Sequence, residues 1–185
     1  TPKTSSAASD VYKRQDTFTS MGGNQYIDSQ IMGNWGTWLK EDLIRELNAR
    51  YKISGFGLVG KSSGGYGSLV RGMLDDCWSA IACHSGDCGF ELLFGIEMPA
   101  TLTQISIAGG ESSFLENIRT SKSIKGDDFH SLMILAMAAT YSDGSLPVDE
   151  RGVFDDEKWA DWKSWDPLVM IETHQKLPPC WIDVG

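Results

Sequence analysis

The sequence has few of the residues that would place it in a specialised class of protein. Its 185 residues include three histidines and four cysteines. No two cysteines form a Cys-x-x-Cys pair, so the spacing favours reduced, partly buried thiols over disulfides or a zinc site. We therefore expect no metal and no cofactor. No apolar stretch approaches the ~20 residues that a membrane-spanning helix needs, so no membrane partner is expected.

The sequence also lacks a cluster of positive charge. Its 16 lysines and arginines are outnumbered by 25 aspartates and glutamates, which gives a formal net charge of -9. Nucleic acids and anionic membranes bind concentrated positive charge, so neither is an expected partner. We interpret the acidity as a solvated surface that keeps one globular domain in solution. Together with the reduced thiols, this predicts a cytoplasmic protein.

The first fifteen residues differ from the rest. TPKTSSAASDVYKRQ has no hydrophobic periodicity and no apolar segment like that of a signal peptide. Its residues 5–15 resemble the in-frame translation of a transposon-type sequencing-library adapter. We therefore predict that residues 1–15 are a non-native leader and that residues 16–185 belong to one domain. On this interpretation the natural N-terminus and any targeting signal are not visible.

Hydrophobic spacing predicts an α/β fold. Residues 38–51, WLKEDLIRELNARY, have the spacing of an amphipathic helix, and residues 64–76 predict a second helix. Short apolar runs at 55–59 and 78–83 are typical of buried strands, and CWIDV at 180–184 predicts another strand. The order helix, strand, tight turn, helix, strand predicts a parallel sheet flanked by helices.

Residues 86–165 predict helices without strands. Ser113 and Glu116 have the spacing of a capping box at the start of one helix. Asp127 and Asp128 begin a helix that is apolar nearly all round and hence expected to be buried. His130 in that helix is expected to be a core residue.

Tryptophans mark the next helix. Trp159, Trp162 and Trp165 recur at steps of three, which favours packing over a stacking surface for a ligand. Asp166-Pro167 then predicts the N-cap and first position of a further helix. His174 is expected to cap the C-terminal end of that helix.

The stretch ISGFGLVGKSSGGYGS, residues 53–68, satisfies three motifs at once. Gly55, Gly57 and Gly60 fit the G-x-G-x-x-G of a dinucleotide site. Gly55, Gly60, Lys61 and Ser62 fit the G-x-x-x-x-G-K-[ST] of a phosphate-binding P-loop. Residues 60–64 also fit the G-x-S-x-G of a hydrolase nucleophile elbow, with Ser62 as the nucleophile.

We favour the elbow. The two nucleotide motifs need a strand that ends before Gly55, whereas the apolar run begins there. Glycines in the first turns of a P-loop helix would weaken it by about 1 kcal/mol each. In an elbow, Gly60 and Gly64 avoid collisions across a tight turn, and Gly65 lets the helix approach the strand. A P-loop and a merely structural glycine turn remain the alternatives.

An elbow serine needs further groups to react. A histidine must accept its proton, a carboxylate must orient the histidine, and N–H donors must stabilise the oxyanion. The backbone N–H of Ser63 can serve as one such donor. Lys61 is expected to face solvent, with a site-lining role as the alternative. His84 and Asp87, after the strand that follows the elbow helix, are candidates for lining the site, with a structural role as the alternative.

Five segments together resemble a known family. GLVGKSSGGYGSLV, WSAIACHSGDCGFE, MILAMAATYS, W-x-x-WDP and WIDVG are similar to the esterase family of α/β-hydrolases that contains esterase D, enterochelin-type esterases and the antigen 85 acyltransferases. The resemblance implies a Ser-Asp/Glu-His triad that cleaves or transfers acyl groups of small esters. It implies Ser62 as the nucleophile and Ser63 as an oxyanion donor.

The resemblance also implies a partial domain. The first strands and the second oxyanion donor are expected before Asp16, and the acid and histidine of the triad after Gly185. His84 has the wrong chain order for the triad base, and Asp183 comes too early in its strand for the acid. Residues 16–185 are thus expected to form a partial α/β-hydrolase fold, with a helical cap inserted at about 86–165. A non-catalytic binding module on the same scaffold is the alternative.

Overall fold

The structure, a computed structural model, describes residues 18–174 and 176–184 of the chain. The leader predicted for residues 1–15 lies outside the described residues. Before the main sheet come the short strands β1 (Asp28–Ser29) and β2 (Gly33–Asn34), and then a helix made of α1 (Trp35–Thr37), a π-helical segment (Trp38–Leu43) and α2 (Ile44–Arg50). This confirms the amphipathic helix, which begins three residues earlier than the start predicted at residue 38.

The main sheet has three parallel strands in the order β3, β4, β5, with β3 at Phe56–Lys61, β4 at Trp78–His84 and β5 at Cys180–Asp183. Helix α3 (Ser63–Leu74) connects β3 to β4. The predicted α/β character with a parallel sheet and flanking helices is confirmed.

The long connection from β4 to β5 is helical. It contains α4 (Phe90–Leu93), a short 3-10 segment (Gly95–Glu97), α5 (Met98–Ala108), α6 (Glu111–Thr120), α7 (Gly126–Tyr141), α8 (Asp156–Ser164) and α9 (Pro167–Thr173). Besides these helices, one isolated antiparallel bridge joins Val148 to Phe154.

The strands are covered on one face in the described part of the chain. Ile81 and Cys83 of β4 are buried beneath α3 and the turn that follows β4. On the opposite face, Val59, Ala82 and Trp181 lie in register, and Val59 and Trp181 are 80% and 58% exposed. The prediction that residues 55–59 form a buried strand is therefore wrong for the face that carries Val59. The described helices pack on the opposite face of the sheet, which carries Ile81 and Cys83.

An aromatic core joins α3 to the helical connection. Tyr66 and Val70 of α3 are fully buried, as the helical spacing predicted. They belong to a cluster with Phe90, Phe94 and Trp162, and the Phe90 and Phe94 rings lie 4.7 Å apart. The predicted packing role of the tryptophans is confirmed for Trp162, which is 0% exposed.

Two predictions in the helical region are wrong. Helix α6 begins at Glu111 after Gly110, so Ser113 lies inside the first turn and caps nothing. The Gly109-Gly110 pair, with φ of 85° and 115°, separates α5 from α6 in its place, since glycine tolerates positive φ. His130 is an exposed residue whose Nδ1 lies 3.7 Å from Glu97, because it faces away from the buried side of α7.

Other helix ends follow the sequence. Asp127 and Asp128 lie in the first turn of α7, whose second half is buried. Asp166 caps α9 by accepting from the Leu168 N–H, and His174 closes that helix with Nδ1 3.0 Å from the Met170 carbonyl oxygen. The four cysteines are free thiols, with Cys83 buried.

No single helix in the described residues is long and apolar enough to cross a membrane, although one bent pair, Phe90–Ala108 with Glu111–Thr120, passes by length and composition alone.

Candidate functional site

Ser62 stands at the turn between β3 and α3. Its backbone has φ 82° and ψ -112°, a conformation that a residue with a side chain rarely adopts. Such strain costs about 1–3 kcal/mol and persists where the surrounding structure imposes it, most often at functional sites. Gly60, which both nucleotide motifs place in a loop between strand and helix, lies within β3, as does Gly57 of the dinucleotide motif.

Neighbouring glycines permit this turn. A Cβ atom on Gly60 would overlap the backbone carbonyl of Gly64, which confirms the crowding predicted at Gly60. At Gly64 itself a Cβ would meet nothing within 4 Å, so the collision predicted there is wrong. A Cβ on Gly65 would lie 2.9 Å from the His84 carbonyl oxygen, which confirms that Gly65 lets α3 approach the sheet.

Backbone hydrogen bonds hold Ser62 against the sheet. Its N–H donates to the His84 carbonyl at 3.1 Å, and its own carbonyl accepts from the Tyr66 N–H at 2.8 Å. Ser62 is exposed, and Ser63 is the first residue of the twelve-residue helix α3. The N–H groups of the first turn of a helix have no intrahelical acceptor, so the Ser63 N–H is available to an oxyanion.

His84 and Asp183 meet at the carboxyl edge of the sheet. They are register partners at the ends of β4 and β5, and Asp183 Oδ2 lies 2.9 Å from His84 Nδ1. Their side chains are 33% and 40% exposed. A carboxylate bonded to Nδ1 orients an imidazole with Nε2 free to exchange a proton, as in catalytic triads. No side-chain hydrogen bond joins Ser62 to His84 in the described residues. Lys61, the residue before Ser62, is exposed to solvent.

Asp87 does not pair with His84, although the sequence predicts that both line the site. Its hydrogen-bond partner is Gln25. The Gln25 Nε2 donates to Asp87 Oδ2 at 2.9 Å and lies 3.1 Å from the Met137 sulfur. Burial raises the pKa of Asp87, and the hydrogen bond from Gln25 acts in the opposite direction. Gln25 has no signal in the sequence that would have identified it, because it lies 62 residues from Asp87 in a short polar stretch.

Two buried tyrosines lie beside Asp87. Burial raises the pKa of Tyr66 and of Tyr141, and the charges of Asp87 and Asp166 raise it further. Both phenols are therefore neutral at physiological pH. The Tyr66 hydroxyl donates to the Trp165 carbonyl at 3.1 Å, which ties α3 to the end of α8.

Two cavities of the described residues lie away from Ser62. One of about 640 Å³ is lined by Gly89, Leu92, Lys163 and Leu168, among others, and another of about 430 Å³ lies between α5 and the turn at Gly152. Neither includes Ser62, His84 or Asp87. Among the described residues, no group of three or more His, Cys, Asp or Glu side chains could hold a metal ion.

The fold and the site together define an α/β protein with a strained serine between a parallel strand and a helix. Comparison with models of known protein families gives no match, and comparison with curated proteins gives no significant similarity.

Proposed function

We propose that this chain carries the nucleophile of a serine hydrolase that acts on carboxylic esters through an α/β-hydrolase fold. The observation that carries the proposal is the backbone of Ser62, with φ 82° and ψ -112° between β3 and α3. A G-x-S-x-G turn that presents an exposed serine above a parallel sheet is what a nucleophile elbow requires. The resemblance of the surrounding segments to esterases of this fold supports the same function.

In the proposed reaction, the Ser62 hydroxyl oxygen attacks the ester carbonyl carbon and gives up its proton to a base. The tetrahedral oxyanion accepts a hydrogen bond from the Ser63 N–H. Collapse of this intermediate breaks the bond to the alcohol, which leaves with a proton and forms an acyl-serine. Water then attacks the acyl-serine by the same route and releases the carboxylic acid and free Ser62.

The proposal assigns the triad base and acid by family resemblance to residues after Gly185. Within the described residues, His84 is the histidine bonded through its backbone to Ser62, and Asp183 orients its ring. We propose that this pair lines the site. A His84→Gln variant tests whether His84 is instead the base. Loss of the base would abolish acylation of Ser62, whereas loss of a residue that lines the site would only weaken it.

The proposal is tested by labelling with a fluorophosphonate probe, which reacts with activated serines. The probe is applied to this chain and to a gene product extended past Gly185, each as wild type, Ser62→Ala and Ser63→Ala. We expect the extended wild type to be labelled, Ser62→Ala to be silent, and Ser63→Ala to remain labelled because it keeps its backbone N–H. A folded extended protein that is not labelled would contradict the proposal and favour a non-catalytic binding module.

A further inference from the structure

Asp87 is a half-buried carboxylate whose hydrogen bonding is incomplete. Its Oδ2 accepts from Gln25, whereas no described residue donates a hydrogen bond to Oδ1. No lysine, arginine or histidine of the described residues forms an ion pair with it. Buried charges in proteins are usually paired, because desolvation without a partner is costly.

Gln25 has an unpartnered atom as well. The residue is 1% exposed, and its Oε1 accepts no hydrogen bond from the described residues. Buried polar atoms nearly always find a partner, and an exception calls for an explanation. The Gln25–Asp87 pair therefore contains two acceptor atoms without a donor, the buried Gln25 Oε1 and the Asp87 Oδ1 of a half-buried residue.

The loops that carry this pair pack against the first turns of the helix that follows the proposed nucleophile. The turn at 85–87 follows directly after His84, whose carbonyl holds the Ser62 N–H, and Gly86 packs against the backbone of Gly65. On the other side, the Tyr26 ring next to Gln25 packs against Gly67, where a Cβ would lie 2.6 Å away. Both loops thus flank the first turns of α3, the helix that begins after Ser62.

Both loops also have strained backbones. Tyr26 has φ 59° and Ser85 has φ 48°, and with Ser62 they are the three described non-glycine residues with positive φ. Local strain of this kind is retained where it places side chains for a function. The positive φ values of the two flanking loops lie in the same region of the fold as that of Ser62.

We propose that Asp87 and Gln25 form a specificity site that binds a hydrogen-bond-donating group, a protonated amine or a hydroxyl, of the ester cleaved at Ser62. The inference rests on the proposed function for its connection to catalysis. The carboxylate oxygen of Asp87 that accepts from no described residue is complementary to such a donor and repels an anion. Gln25 acts as a positioning residue, since its amide fixes one oxygen of Asp87 and leaves the other for the ligand.

The test compares matched butyrate esters with the protein that the fluorophosphonate probe labels. Dimethylaminoethyl butyrate, protonated at neutral pH, is paired with the apolar isopentyl butyrate of the same shape, and hydroxyethyl butyrate is paired with propyl butyrate. We expect the donor-bearing ester of at least one pair to be preferred in kcat/KM by about ten-fold, since a hydrogen bond to a charged group commonly contributes that much.

Asp87→Asn is the critical variant, and Asp161→Asn, an exposed position on α8, is its matched control. Asparagine has the shape of aspartate without a charge to desolvate, so the variant is expected to fold. The ratio within each pair should fall to about one in Asp87→Asn and stay unchanged in Asp161→Asn. A purely structural role would lower both esters equally and leave the ratio intact. A wild type without a preference, or a preference that survives in Asp87→Asn, would overturn the inference.

A binding measurement keeps the inference testable if Ser62 proves unreactive. Thermal unfolding of this chain is followed with protonated 2-methoxy-N,N-dimethylethylamine and with isopentyl methyl ether, which has the same shape and no hydrogen-bond donor. The amine should raise Tm in the wild type and in Ser62→Ala, with no rise in Asp87→Asn. Equal shifts in wild type and Asp87→Asn, or none in either, would refute the site, and they would do so independently of the esterase chemistry.

Discussion

At the scale of single residues, the structure concentrates unfavourable features around one turn. Ser62 adopts a positive φ, Gly60 is free of a side chain that would strike Gly64, and Asp87 carries a charge into a half-buried position. Each of these costs free energy, and none is needed to connect a strand to a helix. Unfavourable local choices that are grouped in space indicate a functional site, because the rest of the fold must compensate for them.

The pKa of Asp87 leads to a prediction about pH. Burial raises this pKa above the ordinary value of 3.8, so the folded protein holds the Asp87 proton more tightly than the unfolded chain. The resulting stabilisation is complete below 3.8 and is lost as the pH rises through the pKa of the folded state. The Asp87→Asn variant has no carboxyl group at this position, so its free energy of unfolding should not fall with pH in this way.

Urea unfolding of the wild type and of Asp87→Asn at a series of pH values measures the effect. The free energy of unfolding of Asp87→Asn should gain on that of the wild type as the pH is raised from about 4 to about 7. Asp161→Asn should follow the wild type throughout. Parallel curves for wild type and Asp87→Asn would contradict the predicted burial of the charge.

At the scale of elements, one carboxylate joins two helices. Asp166 is 5% exposed, accepts from the Leu168 N–H of α9 at 3.0 Å, and also accepts from the N–H groups of Gly89 and Phe90 at the start of α4. Along the chain, α4 and α9 are the first and the last helices of the long connection between β4 and β5. Their mutual position therefore depends on a side chain that the sequence identified only as a local cap.

Replacing this side chain should cost more than replacing an ordinary cap. Asp166→Ala leaves three backbone N–H groups without their acceptor and is expected to lower the free energy of unfolding by about 2 kcal/mol or more. Asp155→Ala at the exposed N-cap of α8, which serves Glu157 and Lys158, should cost about 1 kcal/mol. Urea titrations of both variants test the ranking, and equal losses would show that the link between α4 and α9 contributes nothing.

At the scale of the whole molecule, the aromatic core unites the elements that carry the site. Trp162 of α8 lies 5.6 Å from Tyr141 of α7 and 6.3 Å from Phe94, centroid to centroid. Tyr66 of α3 lies 6.1 Å from Phe90 in the same cluster. Because α3 begins directly after Ser62, packing in this core holds the helix end that follows the strand-to-helix turn.

Trp162→Ala tests how far the stability of the protein depends on this aromatic core. A fully buried tryptophan leaves a large cavity, so we expect a loss of about 3–5 kcal/mol in the free energy of unfolding. Trp181→Ala removes the same side chain from an exposed position of β5 and should cost much less. Denaturant unfolding monitored by far-UV circular dichroism makes the comparison. Similar losses in the two variants would show that the core does not control stability.

The sequence by itself determined the local elements and the position of the turn. Period and composition were sufficient for α3, β4, β5 and α7, and the glycines around Ser62 identified the strand-to-helix turn, because these features depend on neighbours within a few residues. Capping was less secure: Ser113 has the right spacing, but the glycine pair before it sets the helix start.

Only the tertiary structure decided which distant residues meet. His84 and Asp183 are 99 residues apart and become partners through the register of β4 and β5. Gln25 reaches Asp87 across 62 residues, and His130 faces solvent although its helix is largely apolar. The physical reason is that burial and cross-chain hydrogen bonds depend on how the helices pack on the sheet, which local periodicity does not encode.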